Sequence, residues 1–109
     1  MDIWREKNES LSFQLTDLLF IKSQGNYCES YFTNGTKKEV LRNSLTDIKN
    51  QISSNKVYKC HRYYLVHLDN INNVSGNAQG LRLHFKNEEE SVPVSRSLSN
   101  EIRALVLKN

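Results

Sequence analysis

The stretch from Val57 to Leu68, which reads VYKCHRYYLVHL, is the most informative part of the chain. Its two halves, 57–60 and 64–68, have the apolar pattern of short strands, and the polar interruption between them indicates a turn. Lys59 and Arg62 therefore stand among apolar anchors that can hold a cation rigidly at a surface. A guanidinium held in this way can contact a guanine edge or a phosphate. The alternative is a strand–turn–strand unit whose charges are simply solvated.

Similar short stretches on both sides of this unit predict a mainly β chain. The additional strands are expected at residues 11–15, 18–22, 27–33, 36–41, 71–75, 81–85 and 91–94. Turn residues separate several of them, notably Gln24-Gly25-Asn26 and the strong hairpin signal Asn34-Gly35. Because these strands follow one another without intervening helices, mostly antiparallel sheets are expected.

Helical spacing of apolar residues occurs twice. The first helix is predicted over residues 44–53, where Ser44 and Asp47 form a plausible capping box. The second begins near Leu98. Strands separate these two segments, so the chain has no helix-turn-helix spacing, and any DNA contacts must come from loops on a β scaffold.

The length and charge of the chain limit the number of domains and the kinds of partner that are possible. The 109 residues suffice for one domain, with residues 1–9 expected to form an N-terminal tail or linker. Fifteen Lys and Arg stand against twelve Asp and Glu, and this net charge of +3 permits nucleic-acid binding without requiring it. No signal peptide or membrane-length apolar run is visible, so the cytoplasm is the expected compartment.

Catalytic and metal chemistry find little support in the sequence. The two cysteines, Cys28 and Cys60, lack zinc-site spacing, so we expect no metal and no cofactor. The neighbours Cys60 and His61 could suggest a thiol–imidazole dyad. Adjacent strand residues point to opposite faces, however, which favours structural roles for both. No other nucleophile–base arrangement stands out, and the chain is predicted not to be an enzyme.

Four stretches taken together resemble the LytTR DNA-binding domain of bacterial response regulators. They are LFIKSQGNY at 19–27, LRNSL at 41–45 with Ile48 and Ile52, CHRYYLV at 60–66 and VPVSR at 92–96. The resemblance implies an elongated, β-sandwich-like fold of packed antiparallel sheets with two short α-helices. Two positions depart from the family pattern: Tyr63 stands where Ser is usual, and His67 stands where Asn is usual.

The same resemblance implies a function. Members of the family are transcriptional regulators of two-component systems, and their loops enter successive major grooves of double-stranded DNA. They typically bind imperfect direct repeats as paired copies. Most are fused to a receiver domain, so a receiver or sensor domain in the full-length protein is expected.

Arg62 and Arg96 are the favoured base readers, because the arginine fork suits bidentate contact with guanine. For Arg62 the alternative is a surface side chain or a salt bridge to Glu29 or Asp69. Ser95 is a candidate phosphate contact and equally a candidate helix cap or turn residue.

The remaining candidates lie in or near the same predicted loops. Asn26 can pair with adenine, although left-handed turn geometry would also explain an Asn there; the adjacent Tyr27 is expected to anchor a strand. Three basic residues are candidate phosphate contacts or simply solvated charges: Lys22, Arg42 and Lys59. His61 and Tyr63 complete the set, since a tyrosine can stack on DNA or donate to a phosphate.

The loops carrying Asn26, Arg62 and Arg96 are predicted to lie on one face of the molecule. The competing hypothesis is a small β module that binds a protein partner or an acidic ligand through the same basic loops. In a ligand pocket these side chains should converge around one concavity with apolar walls.

Overall fold

The computed structural model describes residues 2–4, 10–33, 38–77 and 80–107, and shows an elongated molecule of 43 × 27 × 23 Å. This part of the chain forms ten strands and two α-helices, so the predicted mainly β class is confirmed. The strands are β1 Asp2–Trp4, β2 Ser10–Ser12, β3 Leu18–Gln24, β4 Tyr27–Phe32, β5 Glu39–Leu41, β6 Val57–His61, β7 Tyr64–His67, β8 Ile71–Asn77, β9 Gly80–Phe85 and β10 Val92–Pro93. The helices are α1 Leu45–Gln51 and α2 Ser99–Leu107.

The strands form three sheets, and every pairing in them is antiparallel, as predicted. The largest has five strands in the order β5-β4-β3-β7-β6. A second sheet has the order β10-β9-β8, and β1 pairs with β2 in the third. No helix within the described residues is both long enough and apolar enough to cross a membrane.

The five-stranded sheet carries a hydrophobic cluster on each face, because successive strand residues point to opposite sides. On one face Phe20 packs with Leu83 of the three-stranded sheet and Ile102 of α2. On the other, Ile21 packs with Ile48 of α1 and Ile3 of β1. The large sheet is therefore the middle layer of the molecule.

Helix α1 confirms the predicted first helix to within two residues at each end. Ser44 is its N-cap, and the hydroxyl oxygen of Ser44 accepts a hydrogen bond from the Asp47 backbone N–H at 3.1 Å. Leu45 and Ile48 are buried against the sheet. The cap and the apolar stripe together position the chain just before α1, which becomes part of the site described below.

Two local predictions need correction. Residues 2–4 are not a tail or linker: they form β1, and Ile3 is fully buried. The strand predicted over 11–15 ends at Ser12, and a 3-10 turn, Leu15–Asp17, follows it. The hairpin signal Asn34-Gly35 lies outside the described residues, although the flanking β4 and β5 do pair antiparallel.

Candidate nucleic-acid interface

The turn between β3 and β4 exposes Asn26. Gln24 pairs with Tyr27, so Gly25 and Asn26 form a two-residue turn, and Gly25 takes the left-handed conformation with φ of +63°. Asn26 itself does not have a positive φ. The alternative explanation of Asn26 by left-handed geometry therefore does not apply, since the neighbouring glycine adopts that conformation. Asn26 is left as an exposed amide at the end of the sheet.

The turn between β6 and β7 consists of Arg62 and Tyr63 and lies at the same end of the sheet. The Tyr63 backbone N–H donates to Nδ1 of His61 at 3.2 Å. The Tyr63 carbonyl oxygen accepts a hydrogen bond from the Ser23 backbone N–H at 2.8 Å. Two hydrogen bonds thus fix the backbone of this turn, and one of them joins it to β3 immediately before the Gly25 turn.

The Arg62 side chain is exposed and lies over an aromatic ring. Its guanidinium carbon is 5.2 Å from the centre of the Tyr63 ring, and Tyr63 is 50% exposed. The acids proposed as alternative partners have other partners: Glu29 faces Lys38 at 4.0 Å and Asp69 faces Lys56 at 3.4 Å. The structure therefore does not support the salt-bridge alternative for Arg62.

A groove of about 430 Å³ brings these loops together at this end of the sheet. Strand β5 ends at Leu41 opposite Cys28 near the start of β4, which places residue 42 beside the β3–β4 turn. The lining comes from residues 23, 25, 26, 42–47, 59, 62 and 63. Three sequence-predicted cations and one predicted amide are therefore neighbours: Arg42, Lys59, Arg62 and Asn26.

The charges in this groove are unbalanced. Asp47 is the one acidic side chain in its lining, against three basic ones. Among the described residues, no acidic side chain forms an ion pair with Arg42, Lys59 or Arg62. Unpaired cations around a concave surface produce a positive potential that attracts anions.

Lys22 lies apart from the groove. Its Nζ is 3.2 Å from an oxygen of Glu90, in the loop that precedes β10. Burial lowers the pKa of Lys22, but the hydrogen bond and charge of Glu90 outweigh this effect, and the net pKa is raised. Its neighbour Ser23 points to the other face and lines the groove. Lys22 joins the two larger sheets, and the structure does not group it with the other candidates.

Ser95 and Arg96 lie beside β6 but do not line the groove. The Ser95 backbone N–H donates to the Cys60 carbonyl oxygen at 2.9 Å, and Arg96 begins an exposed 3-10 turn, Arg96–Leu98. Ser95 makes no side-chain capping bond, while its carbonyl oxygen accepts from the Ser99 hydroxyl at 3.3 Å. Asn26 and Arg62 therefore share one groove, and Arg96 is adjacent to it through the backbone of β6.

Cys60 and His61 have separate structural partners. Cys60 is fully buried, its thiol donates to the Pro93 carbonyl oxygen at 3.7 Å, and burial raises its pKa to about 12. The pairing register of β6 shifts between Tyr58 and His61, and the His61 ring lies beside Tyr63 and Tyr64 rather than beside the Pro93 carbonyl that the Cys60 thiol contacts. Burial and the Arg62 charge lower the pKa of His61, which leaves Nδ1 free to accept.

The sequence did not indicate that Tyr27, which does not line the groove, is exposed beside the Asn26 turn. It was predicted to anchor a strand, yet it is 41% exposed immediately after the Gly25-Asn26 turn. In the described residues the exposed large hydrophobic side chains are Tyr27, Tyr63 and Val40. Tyr27 directly follows the β3–β4 turn, and Tyr63 lies in the β6–β7 turn. No group of three His, Cys, Asp or Glu residues in this part of the chain could hold a metal ion.

Comparison with known proteins agrees with this architecture. The profile of the family described as the LytTr DNA-binding domain matches residues 8–107. A solved structure, the LytTr DNA-binding domain of a methyl-accepting/DNA response regulator from Bacillus cereus, superposes with a TM-score of 0.75. The alignment has 16% identity and covers 97% of this chain and 94% of that one, a likeness that shows a shared fold. No curated protein sequence matches. Since the profile spans nearly the whole chain, this protein belongs to the LytTR family of DNA-binding domains.

Proposed function

We propose that this domain binds double-stranded DNA in a sequence-specific manner and serves as the output domain of a two-component transcriptional regulator. Its loops, rather than a helix, enter the major groove. Family membership supports the DNA partner, and the geometry of the groove supports the choice of surface.

The observation that carries the proposal is the group of unpaired cations in one groove. Arg42, Lys59 and Arg62 come from three separate segments, and none of them has an acidic partner among the described side chains. Duplex DNA carries about one negative charge per 1.7 Å of its axis, so it can neutralise several such cations at once. Cations that the fold brings together without acidic partners are suited to binding duplex DNA.

The candidate side chains divide into base readers and phosphate contacts. Asn26 and Arg62 have the hydrogen-bonding groups that match adenine and guanine in the major groove. Lys59 and Arg42 suit phosphate contacts, which position a protein without specifying sequence. Arg96, beside β6, extends the row of readers, so contacts can continue from one major groove toward the next. Lys22 is left out because it is engaged with Glu90.

Assembly on DNA follows from the family resemblance. We propose that two copies bind imperfect direct repeats, and that a receiver or sensor domain in the full-length protein controls their pairing. Ser95, His61 and Tyr63 then support the readers or contact phosphates at the edge of each site.

One observation favours the competing function, binding of an acidic ligand. Asn26, Lys59 and Arg62 do converge on a single concavity. Its walls are mainly polar, however, and Leu45 and Tyr63 are the large apolar side chains in the lining. Small-molecule pockets are usually lined by apolar side chains, so the composition of the walls favours a polymeric anion.

Selection from random duplexes with the purified domain tests the proposal. We expect enrichment of a guanine-containing motif that recurs at about 10–10.5 base pairs, the spacing of successive helical turns. Binding to the enriched site should weaken steeply as salt is added. A library without enrichment, or an affinity independent of salt, would refute DNA recognition and leave the acidic-ligand function as the better explanation.

A further inference from the structure

Tyr63 is the centre of a small stack on the exposed end of the sheet. The Arg62 guanidinium lies 5.2 Å from the centre of its ring, and the His61 ring lies 5.8 Å away at an angle of 41°. Half of the Tyr63 surface is nevertheless open to solvent. An aromatic ring in this position is exposed apolar surface placed directly beside a cation.

The backbone beneath this stack is held on both sides of Tyr63. The N–H is bound to His61 Nδ1, and the carbonyl oxygen is bound to the Ser23 N–H. The direction in which the ring leaves the chain is therefore fixed before any partner arrives. Contact with the ring also restricts the Arg62 side chain, which otherwise loses considerable rotamer entropy when it is ordered.

We propose that Arg62 and Tyr63 form one reading unit, in which the Tyr63 ring orients the guanidinium toward a guanine and itself contacts the thymine methyl group of the adjacent base pair. This inference rests on the proposed DNA-binding function. The thymine methyl projects into the major groove and is recognised by apolar contact. The open part of the Tyr63 ring offers such a contact beside the arginine. Tyr63 is thus a positioning residue for Arg62 and a specificity determinant in its own right.

His61 has a supporting part in this unit. Its Nδ1 accepts the Tyr63 N–H, and its ring packs against both Tyr63 and, at 5.6 Å, Tyr64. The imidazole is therefore used to hold the turn, and the reading unit does not require it to contact DNA.

The stack can be tested first in the free protein. Ring currents should shift the side-chain protons of Arg62 upfield in the NMR spectrum of the wild-type domain. Tyr63→Phe keeps the ring and should keep the shift, while Tyr63→Ser should abolish it. Val40→Ser, at another exposed apolar side chain that does not line the groove, is the matched control and should leave the Arg62 resonances unchanged.

The second test uses the duplex that the wild-type domain selects. Tyr63→Ser should reduce discrimination between guanine and adenine at the Arg62 position about two- to fivefold, the effect of losing an exposed cation–π contact. Replacing the adjacent thymine by uracil, which removes the methyl group, should weaken wild-type and Tyr63→Phe binding about fourfold and leave Tyr63→Ser unaffected.

Three outcomes overturn the inference. Tyr63→Phe could lose as much discrimination as Tyr63→Ser, which would assign the effect to the hydroxyl group. Wild type and Tyr63→Ser could respond equally to the uracil duplex. Unchanged Arg62 shifts in Tyr63→Ser would show that the stack does not form in solution. In each case wild-type affinity and its salt dependence, measured in the same assay, report separately whether the domain binds DNA at all.

Discussion

The backbone N–H of Ser23 donates a hydrogen bond to the carbonyl oxygen of Tyr63 across 2.8 Å. This bond ties the end of β3, and with it the turn that carries Asn26, to the turn that carries Arg62. The two predicted base readers are therefore parts of one rigid unit. A change in the conformation of either turn should therefore alter the conformation of the other.

Gly25→Ala tests this coupling. The added methyl group meets no atom within 4 Å, so its cost is conformational: a φ of +63° disfavours any residue with a Cβ by about 1–2 kcal/mol. We expect the free energy of unfolding to fall by about that amount and the amide resonances of Ser23 and Tyr63 to shift. Gly80→Ala is the control, because its methyl group also meets nothing and its φ is not positive. Equal effects of the two substitutions would contradict the argument.

Arg62→Ala should remove a sequence-specific contact. The expected loss is about 1–3 kcal/mol of binding free energy on the selected site, with relaxed preference at one base position. Fluorescence anisotropy on a panel of single-base variants measures both quantities. Lys86→Ala provides a matched loss of charge in a different cleft, beside Asp69 and Asn87, and should leave affinity and preference nearly unchanged. If both variants weaken all duplexes equally, Arg62 is not a base reader.

Lys59→Ala should weaken binding to all sequences similarly. A lost phosphate contact lowers the slope of log affinity against log salt by about 0.9. Lys22→Gln tests the assignment of Lys22 to the Glu90 pair on the other face of the sheet, and it should leave the salt slope unchanged. A lower slope for Lys22→Gln would return Lys22 to the interface.

His67→Asn should alter stability at acidic pH. His67 is 4% exposed, and burial lowers its pKa from the usual 6.5, with partial opposition from Asp69. The folded state therefore binds the proton less readily than the unfolded state. The contribution of His67 to stability is fully present above about pH 6.5 and declines as the pH falls through that value. Urea unfolding at pH 7.5 and 5.5 should show that the free energy of unfolding decreases less on acidification in His67→Asn than in wild type. If the free energy of unfolding decreases equally in His67→Asn and in wild type, groups other than His67 account for the decrease.

The sequence predicted those helices and strands whose cap, turn and periodicity signals all lie within their own residues. Helix α1 was recoverable because a serine cap and an apolar stripe coincide within residues 44–53. The β3–β4 hairpin was recoverable because Gly25 supplies the turn geometry that a two-residue loop needs. Strand β1 was not, since three residues with one buried side chain, Ile3, show no periodicity.

The site was predictable only in part, because its assembly depends on long-range pairing. Arg42 joins the groove since β5 ends opposite Cys28, a register that no local pattern encodes. The separation of Lys22 from the groove was not predictable, for a different reason. Residues 18–21 are apolar without interruption, so alternation could not indicate which face the next side chain takes.

The strand order β5-β4-β3-β7-β6 also gives the proposed DNA-binding surface a direction. The Asn26 turn joins β4 to β3, the Arg62 turn joins β7 to β6, and Ser95 is bonded to β6, the edge strand. The three candidate readers thus stand in a row in the same order as in the chain, with no internal two-fold symmetry. On the proposed interface such a row recognises a site with polarity. Two copies on a direct repeat would then follow one another head to tail, related by a translation along the duplex, and their contact would join two different surfaces of the domain.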